Sequence, residues 1–412
     1  MLRLRSALFL ALALLLPVLS GCGSASGAPP HVPFPKLHRA AHIVPPWVTS
    51  RGGRFVTSAG RPVTLNGVNV QVTNPAVYQE ALRLNVNFVR IVAPWSLFEP
   101  TAPTGSVHHW SASALAQLDR EVRFFERHNI NVLIDFHQFR WSPYFASSFP
   151  CRLASCQPRG IPAWYYANGR FAKNHDGIKS AEAAFWTHEA RSSQAAYAAF
   201  AAMMAARYAR DPNVLGYELF NEPHAGSLGL STAATDTMLR WQSRIRQVIS
   251  QVDPSRTVVV MCNGGGGGVG TANLGLLGSP NLLALDWHDY FNGHDGVGLD
   301  ASGDEWVPSW TATHNQTTGP YTGTQENQKR VISWPVDRAR HWRVALLIGE
   351  WGINQKVPGA ADYQSQMLDL FRREGLSNAR WQLTSDGGYG LITPTGRMSP
   401  AGVQLRAAYP AR

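Results

Sequence analysis

The chain has 412 residues, 44% hydrophobic and 16% charged, which is enough apolar material for a large core. Its formal charge of +10 and pI near 9.7 serve solubility or draw the protein to anionic envelope or lipid surfaces. No Lys/Arg-rich run interleaved with aromatic residues suggests a nucleic-acid groove.

At the N-terminus, Arg3 and Arg5 precede an apolar stretch from Ala7 to Leu19. It is short for a membrane span and fits a secretory signal. It runs into Leu19-Ser20-Gly21-Cys22, which resembles the lipobox of bacterial lipoproteins. The resemblance implies a signal over residues 1–21, lipidation of Cys22, and a protein exported and anchored to the cell envelope. Ordinary cleavage near Gly27 or Ala28 would release it instead. Residues 22–46, rich in Gly, Ser, Ala, Pro and His, read as a tether. Residues 47–412 read as one catalytic domain with no further membrane span.

Phe55 to Val70 predicts a hairpin over a barrel floor and then a first strand. A short helix over Tyr78 to Leu84 leads to a strand, Asn87 to Val92, with Arg90 near its end. Ser111 caps a helix with Leu115, Leu118, Val122 and Phe125 on one face. A third strand ends in Asp135-Phe136-His137. From Gln138 to about Ala190 the chain reads as a long irregular insertion holding Trp141, Trp164 and Trp186, a lid or binding loop. Cys151 and Cys156 lie close together in it, and an exported setting permits a disulfide there. Cys262 ends an apolar strand and reads as a small buried thiol.

Ala195 to Arg210 predicts a helix, and the fourth strand delivers Asn221 and Glu222 before Pro223 stops it. Met238, Trp241, Ile245 and Val248 mark another amphipathic helix. Thr257 to Met261 is a strand, and Leu282 to Trp287 is a strand ending in His288-Asp289-Tyr290. A helix near Trp334 to Trp342 precedes an apolar run that delivers Glu350 between Gly349 and Trp351-Gly352. A helix over Tyr363 to Arg373 and a last strand over Ala379 to Leu383 complete the series. Strands alternating with helices, with polar residues at strand C-termini, predict a single α/β domain, a (β/α)8 TIM barrel with its site at that face. A carboxylate at the end of a buried strand needs a partner or a task. Two of them are the minimum equipment for cutting a glycosidic bond.

These residues resemble glycoside hydrolase family 5, in the clan of retaining barrel glycosidases, from about Arg51 to the C-terminus. The matching positions are Arg90, His137, Asn221-Glu222-Pro223, His288-x-Tyr290, Glu350 and Trp381, in that order. Asp135-Phe136-His137-Gln138 and Gly160-Ile161-Pro162-Ala163-Trp164 are similar to the endoglycoceramidase and glucosylceramidase-like branch, although Phe139 stands where that branch carries an aspartate.

The resemblance implies a hydrolase acting on a carbohydrate or glycolipid without cofactor or metal. Glu222 would be the acid/base and Glu350 the nucleophile. Arg90 and Tyr290 would hold Glu350 ionised, and Asn221 would meet the sugar 2-hydroxyl. His137 and His288 would line the first sugar subsite, with Trp381 as platform beneath the sugar. Trp141 and Trp164 are candidates for lid or subsite, and Trp95, Trp287 and Trp351 for further stacking. A β-glucoside or glycolipid is the expected substrate. An endo-β-glucanase or mannanase is the alternative, and an inactive carbohydrate-binding barrel the alternative of another class. The expected protein is a monomer without nucleic-acid partners.

Overall fold

The computed structural model describes residues 37–72, 75–149, 157–187, 191–263, 272–291, 320–384 and 388–411. Cys22, Cys151, Cys156 and the glycine run after Asn263 lie outside the described residues. Eight parallel strands close into a barrel in chain order: β1 (Asn66–Gln71), β2 (Phe88–Val92), β3 (Asn131–Asp135), β4 (Val214–Glu218), β5 (Thr257–Met261), β6 (Leu283–Phe291), β7 (Ala345–Ile353) and β8 (Ser377–Arg380). This is the (β/α)8 barrel that the alternation of elements predicts.

The barrel interior is layered because successive inward positions along a strand are two residues apart. The lowest layer is apolar: Phe88, Leu133, Leu215, Val259, Ala284, Leu347 and Ala379 form one buried cluster with Val48 and Phe55. The last two belong to an antiparallel hairpin, Val48–Arg51 with Arg54–Thr57, that plugs the floor. Ser50 fixes it there: its Oγ donates to Leu283 O at 2.7 Å, and its N–H to Thr257 Oγ1 at 3.0 Å. Two residues further up β2, β3 and β6, the same inward face carries Arg90, Asp135 and Asp286. An apolar base thus supports a charged layer.

Register shifts adjust the mouth. Leu133 of β3 pairs with Gly216 where Val132 pairs with Val214, so β4 holds an extra residue. A second shift lies between Trp287 and His288 against β7 and pairs His288 with Glu350. Bulges of this kind re-aim side chains at barrel rims.

Outside the barrel, Ser111 Oγ caps Ala112–Arg127, whose Leu115, Leu118, Val122 and Phe125 are buried. Thr232–Val252 buries Met238, Trp241, Ile245 and Val248. The helix expected near Trp334 begins earlier and runs Gln325–Trp342, capped by Thr324, with Pro335 inside it. Ala40 N–H and Val44 N–H donate to Val252 and Ala209 carbonyls, so part of the expected tether lies against the helices.

The segment after β3 is not irregular throughout. It contains two 3-10 turns, Pro143–Ser148 and Ala163–Tyr166, and a helix, His175–Trp186. Asn174 Oδ1 caps that helix on Gly177 N–H. The Asn-x-x-Gly spacing and the following alanines were its signal, hidden by the surrounding aromatics. Trp141 lies in the core of this insertion, fully buried, its indole N–H on Tyr166 Oη at 2.6 Å and its ring against Phe185 and Phe220. Burial on that scale excludes it as a sugar subsite. Trp95 and Trp351, both buried, are packing residues for the same reason. Among the described residues, no helix is long and apolar enough to cross a membrane.

Candidate active site

Arg90 on β2 is fully buried and organises the charged layer. Its Nε and Nη2 grip both oxygens of Glu218 at 2.7 and 2.9 Å. Nη1 donates to Glu350 Oε1 at 2.7 Å and to Asn69 Oδ1 at 2.9 Å. Nη2 also donates to Asn221 Oδ1 at 2.7 Å, and Asp135 Oδ2 stands 3.1 Å from Nη1. Burial alone would lower the guanidinium's pKa. The negative charges of Asp135, Glu218 and Glu350 outweigh it and raise it well above the ordinary value. Burial pushes the Glu218 carboxyl well up against the pull of Arg90, and Asp286 and Asp135 add to the push.

Glu350 receives a second donor on its other oxygen, Tyr290 Oη at 2.7 Å from Oε2. Burial, then Glu350 and Glu222, hold the Tyr290 phenol well above its usual pKa, so it remains a neutral donor. Gly349 permits the arrangement. Its N–H donates to Asp286 Oδ1 at 2.6 Å, and a Cβ there would stand 2.1 Å from Asp286 Oδ2.

Glu222 follows β4 with φ of +38°, a backbone conformation rare outside glycine. Pro223 behind it makes the strain greater. Gln138 holds this turn: its Nε2 donates to the carbonyls of Asn221 and Glu222 at 2.7 and 2.6 Å, and Asn221 Nδ2 returns a bond to Gln138 O at 2.8 Å. Strain sustained by such bracing is common at reactive sites.

His288 bridges the two glutamates. Its Nδ1 lies 2.8 Å from Glu222 Oε1 and 3.7 Å from Glu350 Oε2, and its Nε2 lies 3.5 Å from Asp286 Oδ2. Burial would lower its pKa, but the charges of Glu350 and Asp286 and the bonds to Asp286 and Glu222 raise it well above the usual histidine value. These charges favour the imidazolium, which would donate Nδ1–H to Glu222. One carboxylate oxygen each from Glu222 and Glu350, together with a ring nitrogen of His288, lie within 4.8 Å of one another.

His137 has the opposite character. Burial lowers its pKa although Asp135, 2.7 Å from Nδ1, opposes the shift. A neutral imidazole with Nδ1–H on Asp135 presents Nε2 as an acceptor. Its ring lies nearly parallel to Trp381, centroids 5.9 Å apart, just past β8. Gln71 and Gln382 are joined at 2.8 Å beside this pair. Trp164 sits half-buried in the insertion, with its N–H on Glu99 O. Asp135, His137 and Glu350, and likewise Glu218, Asp286 and His288, have the spacing of cation ligands. Arg90 and protonated His288 already place positive charge among these groups.

The structure thus brings Arg90, His137, Asn221, Glu222, His288, Tyr290, Glu350 and Trp381 to one end of the barrel. The sequence did not single out Glu218, Asp286 or Asn69, and Gln138 stood out only as part of a motif, not as the brace of the Glu222 turn. Glu218 and Asp286 had a usable signal: each is a carboxylate set in an apolar run, two or four residues before a residue already singled out.

The chain matches the family described as Cellulase (glycosyl hydrolase family 5) over residues 56–387. It is 25% identical over 163 residues to mannan endo-1,4-beta-mannosidase A of Hypocrea jecorina, covering 40% of this chain and only 30% of that relative. It is 24% identical over 367 residues to putative mannan endo-1,4-beta-mannosidase 5 of Oryza sativa subsp. japonica, covering 83% of this chain and 68% of the relative. Among solved structures it resembles an endogalactoceramidase with a TM-score of 0.67 at 21% identity, over 88% of this chain and 84% of the other, a likeness of fold.

Proposed function

The chain belongs to glycosyl hydrolase family 5 and is a glycoside hydrolase, and we propose that it cleaves β-glycosidic bonds with retention of configuration, Glu350 as nucleophile and Glu222 as acid and then base. The observation that carries this reading is the spacing of the two carboxylates. One oxygen of each lies within 4.8 Å of an oxygen of the other, a near approach that suits the close-set carboxyl groups, roughly 5–5.5 Å apart, of retaining enzymes.

The chemistry follows from the contacts. Arg90 and Tyr290 occupy one oxygen each of Glu350, which fixes its aim. Glu350 attacks the anomeric carbon as Glu222 gives a proton to the departing oxygen. His288 holds Glu222 Oε1 and so fixes the aim of the carboxyl that gives that proton. Once Glu350 is esterified, its negative charge is gone from the side of His288 and Glu222. Glu222 then stays ionised, takes a proton from water, and water displaces the sugar from Glu350. Asn221 is held by Arg90 and Gln138 and retains one amide hydrogen for the sugar 2-hydroxyl. Trp381 is the platform beneath the sugar.

For substrate, a glycolipid or other β-glucoside is favoured over a mannan or glucan. The insertion after β3 is long and rich in aromatic residues, and the fold resembles an endogalactoceramidase. The mannosidase relatives favour the polysaccharide reading. Export, a lipid anchor at Cys22, a single catalytic domain over residues 47–412 and action as a monomer belong to the same proposal.

The test is a hydrolysis panel of aryl β-glycosides, glucosylceramide, gangliosides, carboxymethyl-cellulose and mannan, with the product anomer read by NMR. Glu222→Gln and Glu350→Gln should each lose several orders of magnitude in rate. A product of inverted configuration would overturn the mechanism.

A further inference from the structure

The insertion after β3 brings together basic and aromatic residues that are scattered in the sequence. Arg140 lies 4.4 Å from the ring centroid of Phe149, Lys173 4.7 Å from that of Tyr144, and Arg170 5.1 Å from that of Phe171. Tyr144 Oη donates to Phe171 O at 3.1 Å, which joins two of these pairs into one surface. Arg170, Lys173 and Lys179 are exposed, and the rings of Tyr144, Phe149 and Phe171 are half-buried. Among the described residues of the insertion the acids are Asp176, which is exposed, and Glu182, which is buried. The insertion leaves the C-terminal end of β3, the end of the barrel that carries the site, and Arg159 ties its base to Gln71 at 3.0 Å.

We propose that this face docks on an anionic lipid bilayer, the exposed cations meeting lipid phosphates and the half-buried rings entering the headgroup layer. Rings that present one edge and a cation together suit an interface with an apolar side and a charged side. An acidic polysaccharide would need the charge alone, and a nucleic acid would need ring faces open for stacking, whereas these rings are half-buried with cations beside them. Docking by this face would turn the mouth toward the bilayer, so that membrane-held glycosides reach it without leaving the membrane. The proposal concerns where the enzyme works and stands whichever β-glycoside it cleaves.

The test compares the full chain with its Arg170→Ser/Lys173→Ser/Lys179→Ser variant. Both are co-sedimented with phosphatidylcholine vesicles made with and without phosphatidylglycerol. Any acyl chain or apolar N-terminus contributes equally to both proteins. The unaltered protein should gain on the order of tenfold or more in partitioning when phosphatidylglycerol is added, and the variant should lose that gain. Hydrolysis of a soluble aryl β-glycoside should be unchanged in the variant, which separates this test from that of the catalytic reading. In the unaltered protein the phosphatidylglycerol-dependent binding should fall steeply with salt, a measurement that stands even if the variant does not fold. Equal gain in both proteins, or binding indifferent to salt, overturns the proposal. So does a loss of retention on an immobilised acidic polysaccharide without one on vesicles.

Discussion

Arg90 reaches Glu350 through Nη1 at 2.7 Å while its remaining nitrogens are committed to Glu218 and Asn221. The guanidinium is a hub that a single ammonium cannot replace, because lysine lacks the fork that serves two carboxylates at once. Arg90→Lys is expected to lower kcat by about 100-fold or more. Arg90→Ala should also destabilise the fold by about 3–5 kcal/mol, the scale for stranding buried carboxylates without their cation. Chemical denaturation and steady-state kinetics check both. An Arg90→Lys enzyme with normal kcat would show that Glu350 does not depend on this contact.

The contrast between Glu350 and Glu218 shows what the sequence made legible. Glu222 stands just past β4 before Pro223, and Glu350 lies late in an apolar run between Gly349 and Trp351-Gly352, so their place at a mouth could be inferred from order alone. The barrel could be inferred because each strand and helix kept its own period. Glu218 is the last residue of β4 and Asp286 lies inside β6, and their partner Arg90 lies far away in the chain. Only closure of the barrel makes the three neighbours. The helix His175–Trp186 escaped notice because its second half, Ala181 to Trp186, is wholly buried, leaving polar residues to mark a period only in its first turns. Trp141 was indistinguishable from a sugar-binding tryptophan until its burial under Phe185 and Phe220 was visible.

His288 owes its raised pKa to Glu350 and Asp286 against the effect of burial. A histidine with a raised folded-state value stabilises the fold fully below the unfolded value of about 6.5, and that contribution fades as pH rises through the folded value. Stability should therefore decline on the alkaline side, and the alkaline limb of kcat/KM should follow the loss of the same proton. In His288→Gln that part of the stability profile should flatten and the limb should move. An unchanged profile in the variant would assign the limb to another group.

Gly349 sits against the Asp286 carboxylate, where an added Cβ would meet Oδ2 at 2.1 Å. Gly349→Ala must push Asp286 or β7 aside, one residue from Glu350. The expected cost is about 1–3 kcal/mol, typical of overpacking a filled site. Activity should fall more than that loss of stability accounts for, because Glu350 shifts with its strand. Thermal unfolding and kcat on the same preparation separate the two. Retained activity together with retained stability would mean that the strand yields without moving its glutamate.

Glu182 is a buried carboxyl on the helix His175–Trp186, and burial raises its pKa to about 8 although Lys179 pulls the other way. A carboxyl with a raised folded-state value weakens the fold once it ionises in the unfolded chain. The sign is opposite to that of an ion-paired acid: stability is greatest below pH about 4.5 and falls as pH climbs toward 8. The helix packs beside the turn at Gly226, where a Cβ would touch Glu182 Cβ at 2.7 Å, so the penalty falls on the junction between the insertion and the loop after Glu222. Glu182→Gln keeps the shape and removes the titration. It should stabilise the protein at pH 8 by an amount on the order of 4 kcal/mol as an upper bound, with little change near pH 4.5. Denaturation midpoints across that range are the measurement. A parallel offset at every pH would show that Glu182 binds its proton equally in the folded and unfolded protein.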